Sequence, residues 1–264
     1  MIHPTAIVDG RSDVDSTVTV GPYTVIGPNV KIGRGTSIGA HCVIEGHTTI
    51  GEENNIFQFN SIGAIPQDKK YAGEPCELIL GHRNTVREFC TFNIGSPGDS
   101  RVTRVGDDNW FMAYVHLAHD CVVGNKTIFA NNAQLAGHVH VGDWAILGGF
   151  TVVHQFVRIG AHSMTAMCTL LFADLPPFVM SQGQPGQARS MNYEGLKRRG
   201  FSPDRISVVK AMHKILYRDG LTLEGAVLAL SSLKDIYSDA AGSEDIQMMS
   251  TFLEKVSPQR GIVR

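Results

Sequence analysis

The stretch "VGPYTVIGPNVKIGRGTSIG", residues 20–39, repeats an aliphatic residue followed by glycine every six positions. An amphipathic helix has an apolar stripe with a period of 3.6 residues, so a period of six excludes one. One aliphatic side chain and one turn-permissive small residue suit a short strand followed by a bend. Such a unit cannot bury its own apolar face. The units are therefore expected to wind into a solenoid in which each coil pairs with the next.

The same period extends from Ile2 to Leu171. Only Thr165 is polar among its 26 positions, and glycine follows at 12 of them. The positions are Ile2, Val8, Val14, Val20, Ile26, Ile32, Ile38, Ile44, Ile50, Ile56, Ile62, Leu80, Val86, Phe92, Val105, Phe111, Leu117, Val123, Phe129, Leu135, Val141, Leu147, Val153, Ile159, Thr165 and Leu171. This pattern predicts a mainly β fold, a parallel β-helix over residues 1–175. The hand of the helix does not follow from the period.

Two breaks and a tail complete the predicted architecture. Residues 64–78, "AIPQDKKYAGEPCEL", and residues 95–104, "GSPGDSRVTR", should be loops that protrude from the β-helix, where binding groups are common. Residues 190–264 should form a small C-terminal α-helical domain. Three helices are predicted there, with N-caps at Ser202, Thr222 and Ser243.

Composition narrows the function classes. A formal net charge of -2 gives no case for nucleic acid as a partner, and no apolar run approaches the roughly 20 residues of a membrane span. No secretory signal is visible at the N-terminus. The five cysteines form no paired motif, which favours reduced thiols and a cytoplasmic location.

The six-residue pattern resembles the left-handed β-helix of the hexapeptide-repeat acyltransferases, which implies a left-handed coil of 18 residues. Residues 18 apart then stack at the spacing of neighbouring strands, roughly 4.8 Å. His119 falls in one column with Gly137 and Gln155, and Asp120 falls beside His138. His154 lies in the adjacent column, and His116 lies just upstream of His119.

This column predicts an active site. An aspartate beside a histidine fixes the tautomer of the ring and raises its basicity, and the glycine exposes a backbone N–H to a developing oxyanion. Two alternatives stay open. The histidines could be solvated side chains on a solenoid surface, or they could bind zinc as in the γ-class carbonic anhydrases; we expect no metal.

Longer strings carry a closer resemblance over nearly the whole chain. They are "HLAHDC" at 116–121, "NNAQLAGHV" at 131–139, "VHQF" at 153–156, "QDKKYAGEP" at 67–75 and "NYEGLKRRGFS" at 192–202. They resemble the UDP-N-acetylglucosamine O-acyltransferase family. This implies an enzyme that moves a 3-hydroxyacyl group from acyl carrier protein to the 3-hydroxyl of UDP-N-acetylglucosamine, the first step of lipid A synthesis. It also implies a homotrimer with sites between subunits.

The resemblance also assigns residues. The general base falls on His119, its orienting acid on Asp120 and the oxyanion N–H on Gly137. Substrate-binding positions fall on Gln67, Asp68, Lys70, His116, His138, His154, Gln155, Asn192, Glu194 and Arg198. No cofactor is implied beyond the phosphopantetheine thioester of the acyl donor. One departure is visible, because "FNIGSPG" at 92–98 stands where the family usually has His-Arg-Gly-Thr.

Two finer expectations concern the acyl donor. In the family, a residue larger than glycine at one late-coil position shortens the acyl chain, and that position falls on Met167. We therefore expect a preference for about ten carbons, although Met167 as a core residue stays open. Residues 187–218 contain eight Lys or Arg against two Asp or Glu, which suggests a docking surface for the acidic carrier protein or simply a solvated helix face.

Two rival functions remain at this point. A related hexapeptide N-acyltransferase usually carries an extra N-terminal domain, and here the hexapeptides begin at Ile2. A non-catalytic scaffold would not require His119, Asp120 and His138 in one place.

Overall fold

The computed structural model describes residues 1–98, 100–237 and 240–264. Its first strands are β1 (Ile7–Val8), β2 (Asp13–Val14), β3 (Thr19–Val20), β4 (Val25–Ile26), β5 (Val30–Ile32), β6 (Ser37–Ile38), β7 (Val43–Ile44), β8 (His47–Ile50), β9 (Asn55–Ile56) and β10 (Ser61–Ala64). Next come β11 (Glu77–Leu80), β12 (Thr85–Val86), β13 (Thr91–Asn93), β14 (Val102–Val105), β15 (Trp110–Phe111), β16 (His116–Leu117), β17 (Val122–Val123) and β18 (Ile128–Phe129). The last are β19 (Gln134–Leu135), β20 (His140–Val141), β21 (Ile146–Leu147), β22 (Val152–Val153), β23 (Arg158–Ile159), β24 (Met164–Thr165), β25 (Leu170–Leu171), β26 (Val179–Gln182) and β27 (Gln187–Met191).

These strands form three sheets, because each coil contributes one strand to each sheet in turn. Sheet I runs β1-β4-β7-β10-β13-β16-β19-β22-β25, sheet II runs β2-β5-β8-β11-β14-β17-β20-β23, and sheet III runs from β3 through every third strand to β24, then β26 and β27. Ile7 pairs with Val25 and Ile128 with Ile146, so paired residues are 18 apart in uninterrupted coils. The β-helix is left-handed, as the resemblance implied.

The core lies inside the coils. The repeat positions from Val20 onward are all buried, and the rings of Phe92, Phe111 and Phe129 meet inside with centroids 5.0 and 4.9 Å apart. The polar exception is explained by its contacts. Thr165 is buried, but its hydroxyl lies 2.7 Å from that of Thr151 and accepts from the Gly148 N–H at 3.0 Å, so no polar atom of this side chain is left unpaired.

The coils turn at corners where non-glycine residues have positive φ, a conformation that costs L-residues energy. At the corner between sheets III and I, five such residues stack ring on ring with centroids 4.9–5.2 Å apart. We call this column the aromatic ladder: Tyr23, His41, Phe59, Phe89 and Tyr114. Its members are exposed, Phe59 and Phe89 by 45% and 42%.

Both protruding loops are shorter than predicted, because flanking residues join the sheets. The first loop spans 65–76, between β10 and β11, and the second spans 94–101, between β13 and β14. Asp99 of the second loop lies outside the described residues. At the base of this loop, a Cβ on Gly95 would collide with the main chain of Arg101, so glycine permits the loop to close.

After the last coil, β26 and β27 form an antiparallel hairpin on the edge of sheet III, which the sequence did not predict. Four helices follow: α1 (Tyr193–Arg198), α2 (Pro203–Tyr217), α3 (Leu223–Ile236) and α4 (Ala240–Glu254). The predicted caps Ser202 and Thr222 are confirmed, since their side chains accept from the N–H groups of Arg205 and Gly225. The cap at Ser243 is wrong, because α4 begins at Ala240 and Ser243 lies in its first turn.

The helices have their own apolar core, and an ion pair between Arg205 and the buried Asp245 joins α2 to α4 with N–O distances of 2.6 and 2.8 Å. The chain then returns to the β-helix, where Asp174 bridges to Ile262. Within the described residues, no helix combines the length and the hydropathy that crossing a membrane requires.

Candidate active site

The predicted dyad lies at the corner between sheets I and II. The turn from β16 to β17 carries His119 and Asp120, and Asp120 has a φ of 58°. The Nδ1 of His119 lies 2.9 Å from Oδ2 of Asp120. A carboxylate only accepts hydrogen bonds, so Nδ1 carries the proton and the Nε2 of the neutral ring is left to act as a base.

Asp120 is buried and its carboxylate has two further donors. The Ser96 N–H donates to Oδ2 at 2.9 Å, and the Ser100 hydroxyl donates to Oδ1 at 3.2 Å. Both serines belong to the second loop. Sequence reasoning missed them because the loop interrupts the period, and a residue's column cannot be counted across a loop of unknown path.

Gly137 lies against the face of the base, as the column predicted. A Cβ built on Gly137 would meet Cε1 and Nε2 of the His119 ring at 2.6 and 2.7 Å. Among the described residues, the Gly137 N–H has no acceptor in the hydrogen-bond network. Gly137 therefore lies against the basic nitrogen, and its N–H is available to a ligand.

His138 is the third member of the cluster. Its ring meets that of His119 edge to face at 5.0 Å and stacks on Phe156 at 4.3 Å. Ligand atoms of His119, Asp120 and His138 lie within 4.8 Å of one another, so the residue types could hold a cation. However, Asp120 already accepts from His119 directly, and a tetrahedral zinc site would require both groups to turn away from each other.

His116 lies on the same coil, half-buried, with Nδ1 2.7 Å from the Thr91 hydroxyl. Burial lowers the pKa of His116, and the neighbouring His119 lowers it further. The His116 ring is therefore neutral at pH 7 and can donate or accept a hydrogen bond without adding charge to the site.

The first loop brings one predicted residue to the dyad. Asp68 accepts from the Ser96 hydroxyl at 3.2 Å and from the Lys70 N–H at 3.0 Å. The Lys70 N–H is the main cause of the lowered pKa of Asp68, with smaller contributions from Ser96 and from the charge of His119. Asp68 is thus an ionised acceptor near the base. Gln67 and the Lys70 side chain are exposed on the same loop.

His154 and Gln155 lie on the following coil and are exposed. The ring of His154 tilts against Phe172 at 5.9 Å, and its Nδ1 lies 3.1 Å from the Gln155 carbonyl oxygen. In the part of the chain that the structure describes, no hydrogen bond or ring contact joins either residue to the dyad. They lie two coils from the dyad and one coil from Gly137, and His154 lines a cleft at the C-terminal tail.

Asn192, Glu194 and Arg198 form a separate group at α1, which lies beside sheet III. They line a cavity of about 500 Å³ with Lys126, Ile128, Trp144, Ile146, Met164, Gly195 and Arg199. Asn192 is buried and also has a structural role. Its Oδ1 caps α1 by accepting from the Gly195 N–H at 3.2 Å, and its Nδ2 donates to the His162 carbonyl at 3.0 Å. One chain therefore carries two groups of predicted site residues, on different faces.

Met167 is 70% exposed, so it is not a core residue. Its coil stacks on that of Gly149, as the column predicted, because the neighbouring Cys168 N–H donates to the Gly149 carbonyl at 2.8 Å. The thioether therefore lies on the outside of sheet III near the aromatic-ladder corner.

The fold and the repeats define a class of protein. Residues 11–46 and 103–137 match the bacterial transferase hexapeptide family (six repeats), so the repeats of the β-helix are of the hexapeptide-transferase type. Residues 174–263 match the second domain of UDP-N-acetylglucosamine O-acyltransferase.

Relatives and solved structures agree over the full length. The chain is 76% identical over 264 residues to the acyl-[acyl-carrier-protein]–UDP-N-acetylglucosamine O-acyltransferase of Albidiferax ferrireducens, covering 100% of this chain and 99% of the relative. The UDP-N-acetylglucosamine O-acyltransferase of Moraxella catarrhalis superposes with a TM-score of 0.94 at 40% identity, covering 100% and 99% of the two chains. The chain belongs to the UDP-N-acetylglucosamine O-acyltransferase family and is an acyltransferase.

Proposed function

We propose that this enzyme transfers a 3-hydroxyacyl group from acyl carrier protein to the 3-hydroxyl of UDP-N-acetylglucosamine, which opens lipid A synthesis. The observation that carries the proposal is the arrangement at one corner. A histidine held by a buried carboxylate lies against a glycine whose N–H has no acceptor among the described residues. The names of the relatives supply both substrates.

The proposed step is a direct acyl transfer. Nε2 of His119 takes the proton of the sugar 3-hydroxyl as that oxygen attacks the thioester carbonyl carbon. The Gly137 N–H donates to the carbonyl oxygen while it carries negative charge, and Asp120 stabilises the imidazolium. The C–S bond then breaks, and the sulfur leaves as a thiol with the proton from His119. No further cofactor enters this step.

The cysteines support a mechanism without an acyl-enzyme. Cys121 follows the dyad directly, but it is buried and its Sγ lies 3.2 Å from the Ala136 carbonyl. Burial raises the pKa of the Cys121 thiol to about 12, so it is not a thiolate at pH 7. Cys42, Cys76 and Cys90 are also free and buried, which suits a reducing compartment and supports the cytoplasm as the location.

A homotrimer is proposed for two reasons. The dyad and the group around Asn192 lie on different faces of one chain, so a neighbouring copy could supply the second group to the first. The aromatic ladder also presents a continuous apolar column to the outside, which a second copy would cover.

Half of the basic residues in the segment 187–218 line a single cleft. Of the eight basic residues between 187 and 218, Lys197, Arg199 and Arg205 have partners within the chain. Arg198 lines the cavity with Asn192. The other four, Arg189, Lys210, Lys214 and Arg218, line one cleft with Tyr193 and His213. Lys214 also pairs with Asp219 at 3.7 Å, but its side chain stays 71% exposed. We name these four residues the basic cleft and propose that it receives acidic side chains of acyl carrier protein.

Substitution of the base tests the reaction. His119→Ala should lower kcat about 10²–10⁴-fold or more, the usual contribution of a positioned general base, with an unchanged melting temperature. The matched control is His47→Ala, which removes an exposed histidine on β8, in an earlier coil than the dyad. A folded His119→Ala enzyme with full acyl transfer would contradict the proposal, as would trapping of an acyl-cysteine in a single turnover. Inhibition by a chelator would instead support the zinc alternative.

A further inference from the structure

We propose that Ser96 is a positioning residue that joins the first loop to the His119–Asp120 dyad. The inference rests on the proposed function, because it assigns Asp68 to the binding of UDP-N-acetylglucosamine. Ser96 joins the general base, its orienting acid and the oxyanion donor as a further residue of the site. It holds two separate carboxylates in place.

The contacts of Ser96 carry the inference. Its N–H donates to Oδ2 of Asp120 at 2.9 Å, and its hydroxyl donates to Oδ2 of Asp68 at 3.2 Å. Ser96 is 3% exposed and Asp120 is buried, so the bond between them is shielded from water, whereas Asp68 is only half-buried. The orienting acid of the base and an acceptor on the first loop are therefore linked through one buried residue.

The adjoining segment fixes the first loop at its base. Nδ2 of Asn93 donates to the carbonyl oxygens of Ala64 and Ile65, at 3.3 and 3.0 Å. The Ile94 N–H also donates to the Ala64 carbonyl at 3.0 Å. The first loop is therefore attached at two points: Asn93 and Ile94 hold its base, and Ser96 holds Asp68.

The two polar groups of Ser96 have separable effects. The hydroxyl acts on Asp68, whereas the N–H acts on Asp120 and survives any substitution other than proline. Ser100 provides a comparison within the same loop, because its hydroxyl is shared between Oδ1 of Asp120 and the Val102 carbonyl, both at 3.2 Å. Loss of the Ser96 hydroxyl should therefore affect substrate binding, and loss of the Ser100 hydroxyl should affect the dyad.

The segment is also where this chain departs from the His-Arg-Gly-Thr string of the family resemblance. Asn93 and Ser96 attach the first loop through an amide and a hydroxyl. A hydroxyl is short and keeps one donor on the carboxylate, so threonine is the conservative replacement and alanine the disruptive one.

Steady-state kinetics of the whole enzyme test the inference. Ser96→Ala should raise KM for UDP-N-acetylglucosamine about tenfold with little change in kcat, the size expected for a hydrogen bond to a charged group. Ser96→Thr should restore the wild-type KM. Ser100→Ala should instead lower kcat and shift its pH profile while KM stays near wild type. Ser12→Ala, which removes a hydroxyl bond to the Asp9 carbonyl in the first coils, is the matched control.

A double-mutant cycle separates coupling from general loosening. In an Asp68→Ala background, Ser96→Ala should add less than about a twofold change in KM, because its partner is already absent. A tenfold effect that persists in that background, or a wild-type KM for Ser96→Ala, would overturn the inference. Neither result touches the proposed function, which fails if folded His119→Ala retains full acyl transfer or if an acyl-cysteine is trapped.

Discussion

Asp120 combines two conditions that proteins usually avoid in one residue. Its φ of 58° is unfavourable for most side chains, and its carboxylate is fully buried. Aspartate tolerates this backbone region better than most residues, and three donors satisfy the carboxylate. Other coil corners share the positive φ, so the feature that sets Asp120 apart is a buried carboxylate held by three donors.

Gly137→Ala should reduce activity without unfolding the coil. The new methyl group would meet the His119 ring at 2.6–2.7 Å, and the ring is the part that can move. A displacement of the base by several tenths of an ångström to 1 Å should lower kcat about 10²-fold. Activity and melting temperature measured side by side check this.

The control for that variant is Gly10→Ala, because a Cβ on Gly10 meets nothing within 4 Å. Wild-type turnover in a folded Gly137→Ala enzyme would mean that His119 has more freedom than the contact indicates, and that its position is not critical.

Met167→Gly should lengthen the preferred acyl chain. The family resemblance implies that a side chain at this position limits the acyl chain, the Met167 thioether is exposed, and each excluded methylene forfeits only about 0.8 kcal/mol. We therefore expect wild type to favour about ten carbons and the glycine variant to use longer chains several-fold better. Competition between donors of different length measures the ratio. An unchanged length profile would remove Met167 as the determinant.

For single residues, the sequence predicted which side chains stack between coils of the β-helix, but not which contacts the loops make. His119, Gly137 and His138 could be placed together because each lies a fixed count from the next along uninterrupted coils. Ser96 and Ser100 could not, because the path of the second loop depends on tertiary contacts that no period encodes. Asn192 was assigned from resemblance, and its helix-capping role became visible only in the structure.

The corner between sheets II and III is an element with its own chemistry. His162 stacks between Trp144 and Phe178, and its Nδ1 lies 3.2 Å from the Arg199 guanidinium. Burial, together with the charges of Arg199 and Arg205, lowers the pKa of His162 to about 3. This stack joins the last coils to the segment leading into the helices.

His162→Phe should make the enzyme less sensitive to acid. An unfolded histidine titrates near pH 6.5, so between about pH 6.5 and 3 the unfolded chain binds a proton that the folded chain does not. Stability from neutral His162 is therefore complete above about pH 6.5 and is lost as pH falls toward 3. The drop in melting temperature between pH 7 and pH 4.5 should be smaller in the variant, which keeps the ring stack.

The exposed His47→Ala variant serves again as the reference in that comparison. An acid-induced drop identical in His162→Phe and wild type would show that His162 does not limit stability at low pH.

Element boundaries were predictable where local chemistry sets them. Ser202 and Thr222 end loops and cap helices through bonds to nearby N–H groups, which are local features of the sequence. The start of α4 at Ala240 was not predicted, because Ser243 resembles a cap but lies inside the helix. The β26–β27 hairpin was not predicted, because it pairs with the edge strand of sheet III, which only the folded coils create.

For the whole molecule, docking of acyl carrier protein should depend on salt. KM for the carrier-protein substrate should rise with ionic strength, because exposed charges more than about 10 Å apart are screened at 0.1 M salt. Lys210→Glu in the basic cleft should raise this KM about fivefold at low salt and weaken its salt dependence.

Lys31→Glu makes the same change of charge on β5 and is the control. A free acyl-phosphopantetheine donor should be used equally well by all three enzymes. A carrier-protein KM indifferent to salt would show that the basic cleft is only a solvated face.

The aromatic ladder makes the oligomer testable. Phe89→Glu places a charge in a column of stacked rings and should convert a trimer into monomers in sedimentation, with loss of activity. Leu228→Glu, at a residue 72% exposed on α3, should leave the trimer intact. A trimeric Phe89→Glu protein would contradict the aromatic ladder as the interface, and a fully active monomer would contradict the proposal that the site is shared between copies.

The fixed 18-residue step between paired strands restricts how such a molecule can change length. Deleting one residue between Asp120 and Gly137 would shift every later side chain by one position, so inward residues would face outward and the base would lose its glycine. Duplicating one complete coil near the N-terminus would leave each later residue above the same neighbour. Insertions and deletions should therefore be tolerated as whole coils or within the loops. The catalytic corner then keeps the same neighbours in a longer or shorter β-helix.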